Sequence, residues 1–194
     1  MYAKGMTTGD IESHMRELYD IDISDSTISR ITDKILPIVK EWQERPLEEV
    51  YAVVFMDAIH YHVRSEGRIV KRAVYIALGI DMNGKKDVLG MYVGENESAK
   101  FWHDNWATLS TYFKYPEAVR RLIYTTNAIE GFNRQLRKVT KSKTVFPSDD
   151  SLLKMLYLAT MDITKKWTGH RQDWGQIHSQ LEIYFEERLI GRSL

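Results

Sequence analysis

The 194-residue chain contains no cysteine, so disulfide frameworks, thiolate zinc sites, iron-sulfur clusters and cysteine nucleophiles are excluded. A reducing cytoplasm is the expected compartment. No run approaches the roughly 18 uninterrupted apolar residues of a membrane span, and MYAKGMTTGDIESHMREL lacks the apolar centre of a signal peptide. The expectation is therefore a protein neither secreted nor embedded in a membrane. Glycine (eleven) and proline (four) are scarce and scattered, without repeats or low-complexity tracts, and nothing reads as disorder. Net charge is absent too: Lys plus Arg and Asp plus Glu both total 27. Dividing that charge along the chain changes the picture. Residues 1–50 carry six basic against eleven acidic side chains, whereas Arg134 to Lys143 (RQLRKVTKSK) carries five basic and no acidic ones.

With 43% apolar residues the chain can bury one sizeable core or two small ones. Its first 45 residues read as helical. Thr8 or Asp10 serves as a cap before Ile11, Met15 and Leu18, which fall at helical spacing. Asp25 or Ser26 caps a second helix whose Ile28, Ile31, Ile35 and Ile38 form one stripe, ended or kinked by Pro37. Two short helices joined by a tight link are the pattern of a helix-turn-helix, in which Ser26, Thr27 and Arg30 would face DNA. A plain helical hairpin gives the same spacing, and the acidic balance of the segment favours that reading.

Residues 48–94 change character. EVYAVVFMDAIHYHV, GRIVKRAVYIALGID and KKDVLGMYVGE are three β-rich runs, with Glu66-Gly67 and the two-residue hairpin signal Asn83-Gly84 between them. They predict a three-stranded antiparallel meander. Beyond Ser98 three helical blocks follow, the middle one capped by Ser148 or Asp149 and carrying a core stripe of Leu152, Met155, Leu156, Ala159 and Ile163. The stretch from Gly94 to Pro116, with two Trp flanking His103, fits no single element and reads as a junction.

Asp57 interrupts an apolar strand and shares a face with Val53 and Phe55, so it is either paired or binds a cation. On the later helix, Asn127, Glu130, Arg134 and Arg137 fall on nearly one face. Glu130 has two readings: with Asn127 as N-cap it closes a capping box, or it points at the strand as a metal ligand. His60 and His62 share the face opposite Asp57 and resemble a two-His metal pair lacking a third ligand. Arg120, Arg121, Arg134, Arg137, Lys138, Lys141 and Lys143 suit phosphate contacts, or else a solvated basic face.

The strings FMDAIHYHVRSEGRIVKRAVYIALGIDMNGKKDVLGMYVGENESAKFW and NWATLSTYFKYPEAVRRLIYTTNAIEGFNRQLRKVTKSK resemble mutator-type transposases of bacterial insertion sequences. The resemblance extends to DISDSTISRITDKI and to the C-terminal DDSLLKMLYLATMDITKKWTGHRQDWGQIHSQLEIYFEERL. It implies an RNase H-like core in which two Asp and one Glu hold divalent metal ions, Mg²⁺ or Mn²⁺. Asp57 in FMDA matches the first Asp, and Glu130 in TTNAIEGFNRQLRK matches the Glu. The implied chemistry is cleavage and transfer of DNA strands by hydroxyl attack on phosphorus. One departure stands out. In the family, ESAKFW leads into a further strand, a second catalytic Asp in a DG motif, a Cys/His-bearing stretch and a helical insertion. Here AKFW passes directly to HDNW, as if by an internal deletion with its seam at residues 101–103. Asp81, Asp87 and Asp104 are weak candidates for a replacement ligand. The region preceding the helix-turn-helix is also expected to be shortened.

The expected fold is thus α+β: a helix-turn-helix region at 1–46, a truncated RNase H-like core at 47–144 and C-terminal helices at 145–194. The implied function is a mutator-type transposase, impaired by loss of the second Asp. The alternative is an inactive DNA-binding fragment that inhibits intact transposase. Expected partners are double-stranded DNA with terminal inverted repeats and a second copy or intact transposase, with no membrane, in the bacterial cytoplasm at the nucleoid. A sheet edge exposed by the missing strand would favour self-association.

Overall fold

The computed structural model describes residues 1–94, 126–170 and 172–186, which form an α+β fold around a three-stranded antiparallel sheet. Strands β1 (Tyr51–Ser65), β2 (Arg68–Asp81) and β3 (Lys86–Gly94) lie in the order β1-β2-β3, the meander that the sequence predicts. Both turns use left-handed backbone, in different ways. Glu66 and Gly67 both have positive φ (50° and 75°), the two-residue connection whose twist matches that of the strands. Between β2 and β3 the loop is longer than the expected two-residue hairpin. Asp81 Oδ1 accepts the backbone N–H groups of Asn83 and Lys85, each at 2.8 Å, and the Asp81 N–H reaches the Lys85 carbonyl. Gly84 alone takes the positive φ of 76°, because the side chain of Asp81 gives the backbone an alternative to the tighter turn.

Strand alternation separates two faces. Phe55, Ile59 and Val63 of β1, Val74, Ile76 and Leu78 of β2, and Val88 and Met91 of β3 are buried in one apolar cluster. The opposite face leaves Val54, Met56, Ile69 and Tyr92 exposed. The main cover of the buried face is the long C-terminal helix Asp149–Thr164. Its N-cap is Ser148, and Leu152, Met155, Leu156, Ala159 and Ile163 are all buried, as their spacing predicts. Flanking it are the helices Asn127–Thr140 and Trp174–Tyr184. The latter is pinned to the β2-β3 loop, since Trp174 Nε1 donates to the Met82 carbonyl at 2.9 Å and its ring packs on Gly84. There a Cβ would come within 2.6 Å of the indole.

The N-terminal region consists of a 3-10 turn (Tyr2–Lys4) and helices α1 (Thr8–Tyr19), α2 (Asp25–Asp33) and α3 (Ile35–Glu44). In chain order, Asn127–Thr140, Asp149–Thr164 and Trp174–Tyr184 are then α4, α5 and α6. The caps sit one residue or more before their expected places. Thr7 and Asp10 form a capping box on α1, and Ser24 caps α2. The end or kink expected at Pro37 falls slightly earlier, at Lys34, and divides the stretch into two helices. Pro37 lacks an N–H and its ring crowds the carbonyl four residues back, that of Asp33, so α2 stops there and Pro37 occupies the first turn of α3. Before the break Ile28 and Thr32 are buried and Ile31 of the expected stripe is about half exposed; beyond it Val39 is buried and Ile38 is about half exposed.

Candidate functional site

Asp57 lies on β1 opposite Ile76, on the side of the sheet that faces the helices, but at an exposed position. Both of its oxygens are engaged. Oδ1 accepts the Ala58 N–H at 2.8 Å, and Oδ2 accepts Asn133 Nδ2 of α4 at 2.6 Å. Charge-assisted bonds of this kind hold a carboxylate at a strand margin without burying a bare charge. Asn133 is only 1% exposed, carried inward by the stripe of Ile129, Phe132 and Leu136 that seats α4 on the core. Its Oδ1 is buried with no hydrogen-bond partner among the described residues. An unsatisfied buried oxygen costs about 1–3 kcal/mol, so this atom next to a carboxylate marks a place suited to a cation.

Glu130 sits one helical turn before Asn133, in the first turn of α4. Its Oε1 accepts the Thr126 hydroxyl at 2.5 Å. The acid therefore turns one oxygen toward the start of its own helix, close to the capping alternative in effect. The partner differs: Thr126 is the N-cap and Asn127 the first helical residue. Thus the fold joins Asp57 to the helix bearing Glu130, with Asn133 making the bond. Among the described residues no three His, Asp or Glu side chains come together to hold a metal ion.

The basic residues divide into two groups. Arg134, Arg137, Lys138 and Lys141 are exposed on or just beyond α4, and none has a carboxylate within ion-pair distance among the described residues. Those in the last turn also offset the negative end of the helix dipole. Lys143 is placed differently: its ammonium lies over the rings of Tyr2 and Phe146, at 5.0 and 5.4 Å from their centres. Burial and the neighbouring Lys154 lower its pKa, while Asp10 opposes the shift.

Ser26, Thr27 and Arg30 all lie on α2. The Ser24 hydroxyl is 3.0 Å from that of Ser26 and 2.9 Å from that of Thr27, and it accepts the Thr27 N–H. Two of the three expected base readers thus belong to the cap of their own helix, while Arg30 is exposed. His60 and His62 are exposed on the face opposite Asp57, across from Ala73 and Lys71. Asp81 closes the β2-β3 loop, and Asp87 pairs with Arg45 at 3.0 Å. Asp104, Arg120, Arg121 and the seam at 101–103 lie outside the described residues.

Two polar residues that the fold buries, Asn133 and Lys154, do not stand out in the sequence. For Asn133 a signal exists: an amide three residues after Glu130, set among apolar residues at helical spacing, has to find a partner. For Lys154 the signal is a cation between Leu153 and Met155 in an otherwise apolar helix.

Comparison with known proteins converges on one family. A family model described as transposase, Mutator family, matches residues 1–109 and 102–170. The transposase for insertion sequence element ISRM3 of Rhizobium meliloti (strain 1021) is 29% identical over 292 aligned positions, covering 98% of this chain and 73% of that protein. A probable transposase for an ISRM3-like element of Sinorhizobium fredii (strain NBRC 101917 / NGR234) is 28% identical over the same shares. The transposase for IS256 in transposon Tn4001 of Staphylococcus aureus is 31% identical over 59% of this chain and 28% of that protein. At least 98 of the 292 positions aligned with the ISRM3 protein, the excess over 194 residues, face no residue here. Because the family model matches well over half of the residues, on both sides of the Asp57–Asn133 bond, the chain belongs to the Mutator family of transposases.

Proposed function

We propose that this chain grips DNA as a mutator-type transposase does, and that its strand-cleaving and strand-transferring chemistry is impaired because the second catalytic Asp is missing. The observation that carries this reading is the 2.6 Å bond from Asn133 to Asp57, which links the strand of one acid to the helix of the other. Exposed Arg134, Arg137, Lys138 and Lys141 continue that helix. A phosphodiester held by these cations would lie along the helix that carries Glu130. On this reading α1 to α3 supply the helix-turn-helix and the meander belongs to a truncated RNase H-like core. The two-part match meeting at residues 102–109, with the unmatched positions of the relatives, supports an internal deletion.

The donor set suits one hard cation better than two. Asp57, Glu130 and the unsatisfied Asn133 Oδ1 are oxygen donors of the kind Mg²⁺ and Mn²⁺ take. A pair of ions about 4 Å apart needs more bridging carboxylates than these. When bound, the ion would supply Lewis-acid activation of the attacking hydroxyl and stabilise charge at phosphorus. The residues' own work is to place it: Asn133 fixes the Asp57 carboxylate, and the arginines orient the phosphate by their planar forks. Partners on this reading are double-stranded DNA bearing terminal inverted repeats and a second copy or intact transposase. The edge of β1 from Tyr51 to Tyr61 pairs with no further strand among the described residues, which favours association. No described helix is long and apolar enough to cross a membrane. A cytoplasmic, nucleoid-associated location goes with the proposed DNA binding.

The test is Mg²⁺- or Mn²⁺-dependent cleavage of labelled DNA carrying terminal repeats, with binding read in the same gel. Binding with little cleavage is expected. Cleavage abolished by Asp57→Ala would instead show a working enzyme, and absence of binding would overturn the reading. Replacing Arg134 and Arg137 by Gln should flatten the salt dependence of affinity by about one unit of slope for each phosphate no longer neutralised. The inactive-fragment alternative, an inhibitor of intact transposase, predicts fewer transposition events when the chain is co-expressed. An unchanged frequency removes it.

A further inference from the structure

A cavity of about 350 Å³ lies where the N-terminal helices meet the start of α5. Thr8, Ser29, Ser142 and Ser151 line it, together with Lys143 and Lys154; the Ser142 hydroxyl also donates to the Gly5 carbonyl and that of Ser151 accepts from Ser148. The two lysines are in different electrostatic situations. Lys154, 3% exposed, donates to Asp33 Oδ1 at 2.5 Å and to Thr32 Oγ1 at 3.3 Å, so its charge is already matched. Lys143 has no carboxylate within ion-pair distance among the described residues; two aromatic rings take that place. The charged groups that act on it are Asp10, which accepts the Thr7 N–H in the capping box of α1, and Lys154. Asp25 is the one carboxylate in the lining.

A half-buried ammonium with no carboxylate at ion-pair distance among the described residues, bordered by hydroxyl-bearing side chains, has an obvious complement. A divalent cation would be repelled by the Lys143 charge, and an apolar ligand would desolvate that charge further. An anion with several acceptor oxygens satisfies both groups at once. We propose that this cavity binds a phosphate group, with Lys143 as its principal contact and the surrounding hydroxyls as donors. Because the lining comes from α1, α2, α5 and the segment after α4, the bound group ties the N-terminal helices to the body of the protein. Two sources share this chemistry, a DNA backbone phosphate and a free phosphate compound.

Calorimetric titration of the full chain with inorganic phosphate, against chloride at matched ionic strength, tests the site. Saturable binding and a raised Tm are expected. Lys143→Gln should weaken binding by about tenfold or more, the worth of one charge-assisted hydrogen bond, with Lys143→Arg retaining most of it. Lys71→Gln, on the exposed sheet face opposite Asp57, should leave it unchanged. Absence of saturable binding, or equal loss in Lys71→Gln and Lys143→Gln, would overturn the proposal. Repeating the titration with saturating duplex DNA separates the sources. Competition identifies the backbone phosphate, undiminished binding identifies a free phosphate compound, and either supports the site. The phosphate titration reads the cavity whether or not the chain binds or cuts DNA.

Discussion

The α5–sheet body and the N-terminal helices are held by different physics. Helix α5 buries eight side chains, and most of them join the apolar cluster beneath the sheet. In contrast α1 and α3 bury one residue each and α2 two. Ile11, Ile28 and Val39 still join that cluster, and polar ties supply much of the rest of the attachment. Lys154 holds Asp33, Arg45 bonds to Asp87 and to the Val88 carbonyl, Gln43 donates to the Met91 carbonyl, and Lys4 pairs with Asp162. Apolar packing is non-directional and cooperative, whereas each polar tie depends on one geometry and on the state of its ions. The proposed DNA-reading part is thus fastened by the more adjustable set of interactions, and the carrier of Asp57 by the more rigid one.

Substitutions can break this contrast in a graded way. Leu156→Ala, in the fully buried stripe of α5, should cost about 2–5 kcal/mol through lost burial and a residual cavity. Its denaturation midpoint should fall with all probes moving together. Next in size, Asp33→Ala leaves the Lys154 ammonium buried with the Thr32 hydroxyl in place of a counter-ion, at a cost of about 2 kcal/mol. That is below the figure for a fully buried pair, because the Asp33 side chain is 54% exposed. Lys154→Met removes the charge along with its need for a partner and should cost less than about 1 kcal/mol. If urea unfolding gives the reverse order, the tie is not electrostatic.

Smaller still, Ser24→Ala removes the acceptor for the Thr27 N–H and should cost about 1 kcal/mol, read as faster amide exchange in α2 with β2 unchanged. The gentlest probe is acid. Asp10 is held below its ordinary value of 3.8 by the Thr7 backbone N–H and hydroxyl, and Asp162 is lowered by Lys4. Depressed carboxylates contribute stability that is present above the ordinary value and lost as pH falls through the depressed one. Acid should therefore loosen α1 and the Tyr2–Lys4 turn before it disturbs the sheet. NMR shifts of the α1 amides moving before those of β2 would show this, and simultaneous change would erase the distinction.

Legibility follows the same division. The meander and the α5 stripe are readable because β-branched runs and a 3.6-residue period reflect burial on one face, which is what the tertiary structure uses. Ile38 is misplaced by the sequence pattern because the break at Lys34 rotates the second half, whereas Ile31 is misplaced within α2 itself, which turns Ile28 and Thr32 inward. Asn83-Gly84 suggests a two-residue turn, and the carboxylate of Asp81 selects a longer loop. For the site, Asp57 and Glu130 are identified through the family resemblance and by the oddity of an acid in an apolar strand. Asn133 escapes notice, since helical spacing alone assigns the polar face to the exposed residues around it.

By itself the sequence determined the element types, the two faces of the sheet, the absence of thiol chemistry and the basic run from Arg134 to Lys143, because each depends on neighbours in the chain. Only the tertiary structure decided which of those cations face solvent and which one lines a cavity. It also decided that Asn133 meets Asp57 across 76 residues of chain, and that Lys154 meets Asp33 across 121. Such pairings have no local signature. They are set by how α4 and α5 pack, and packing is a property of whole faces rather than of any one segment.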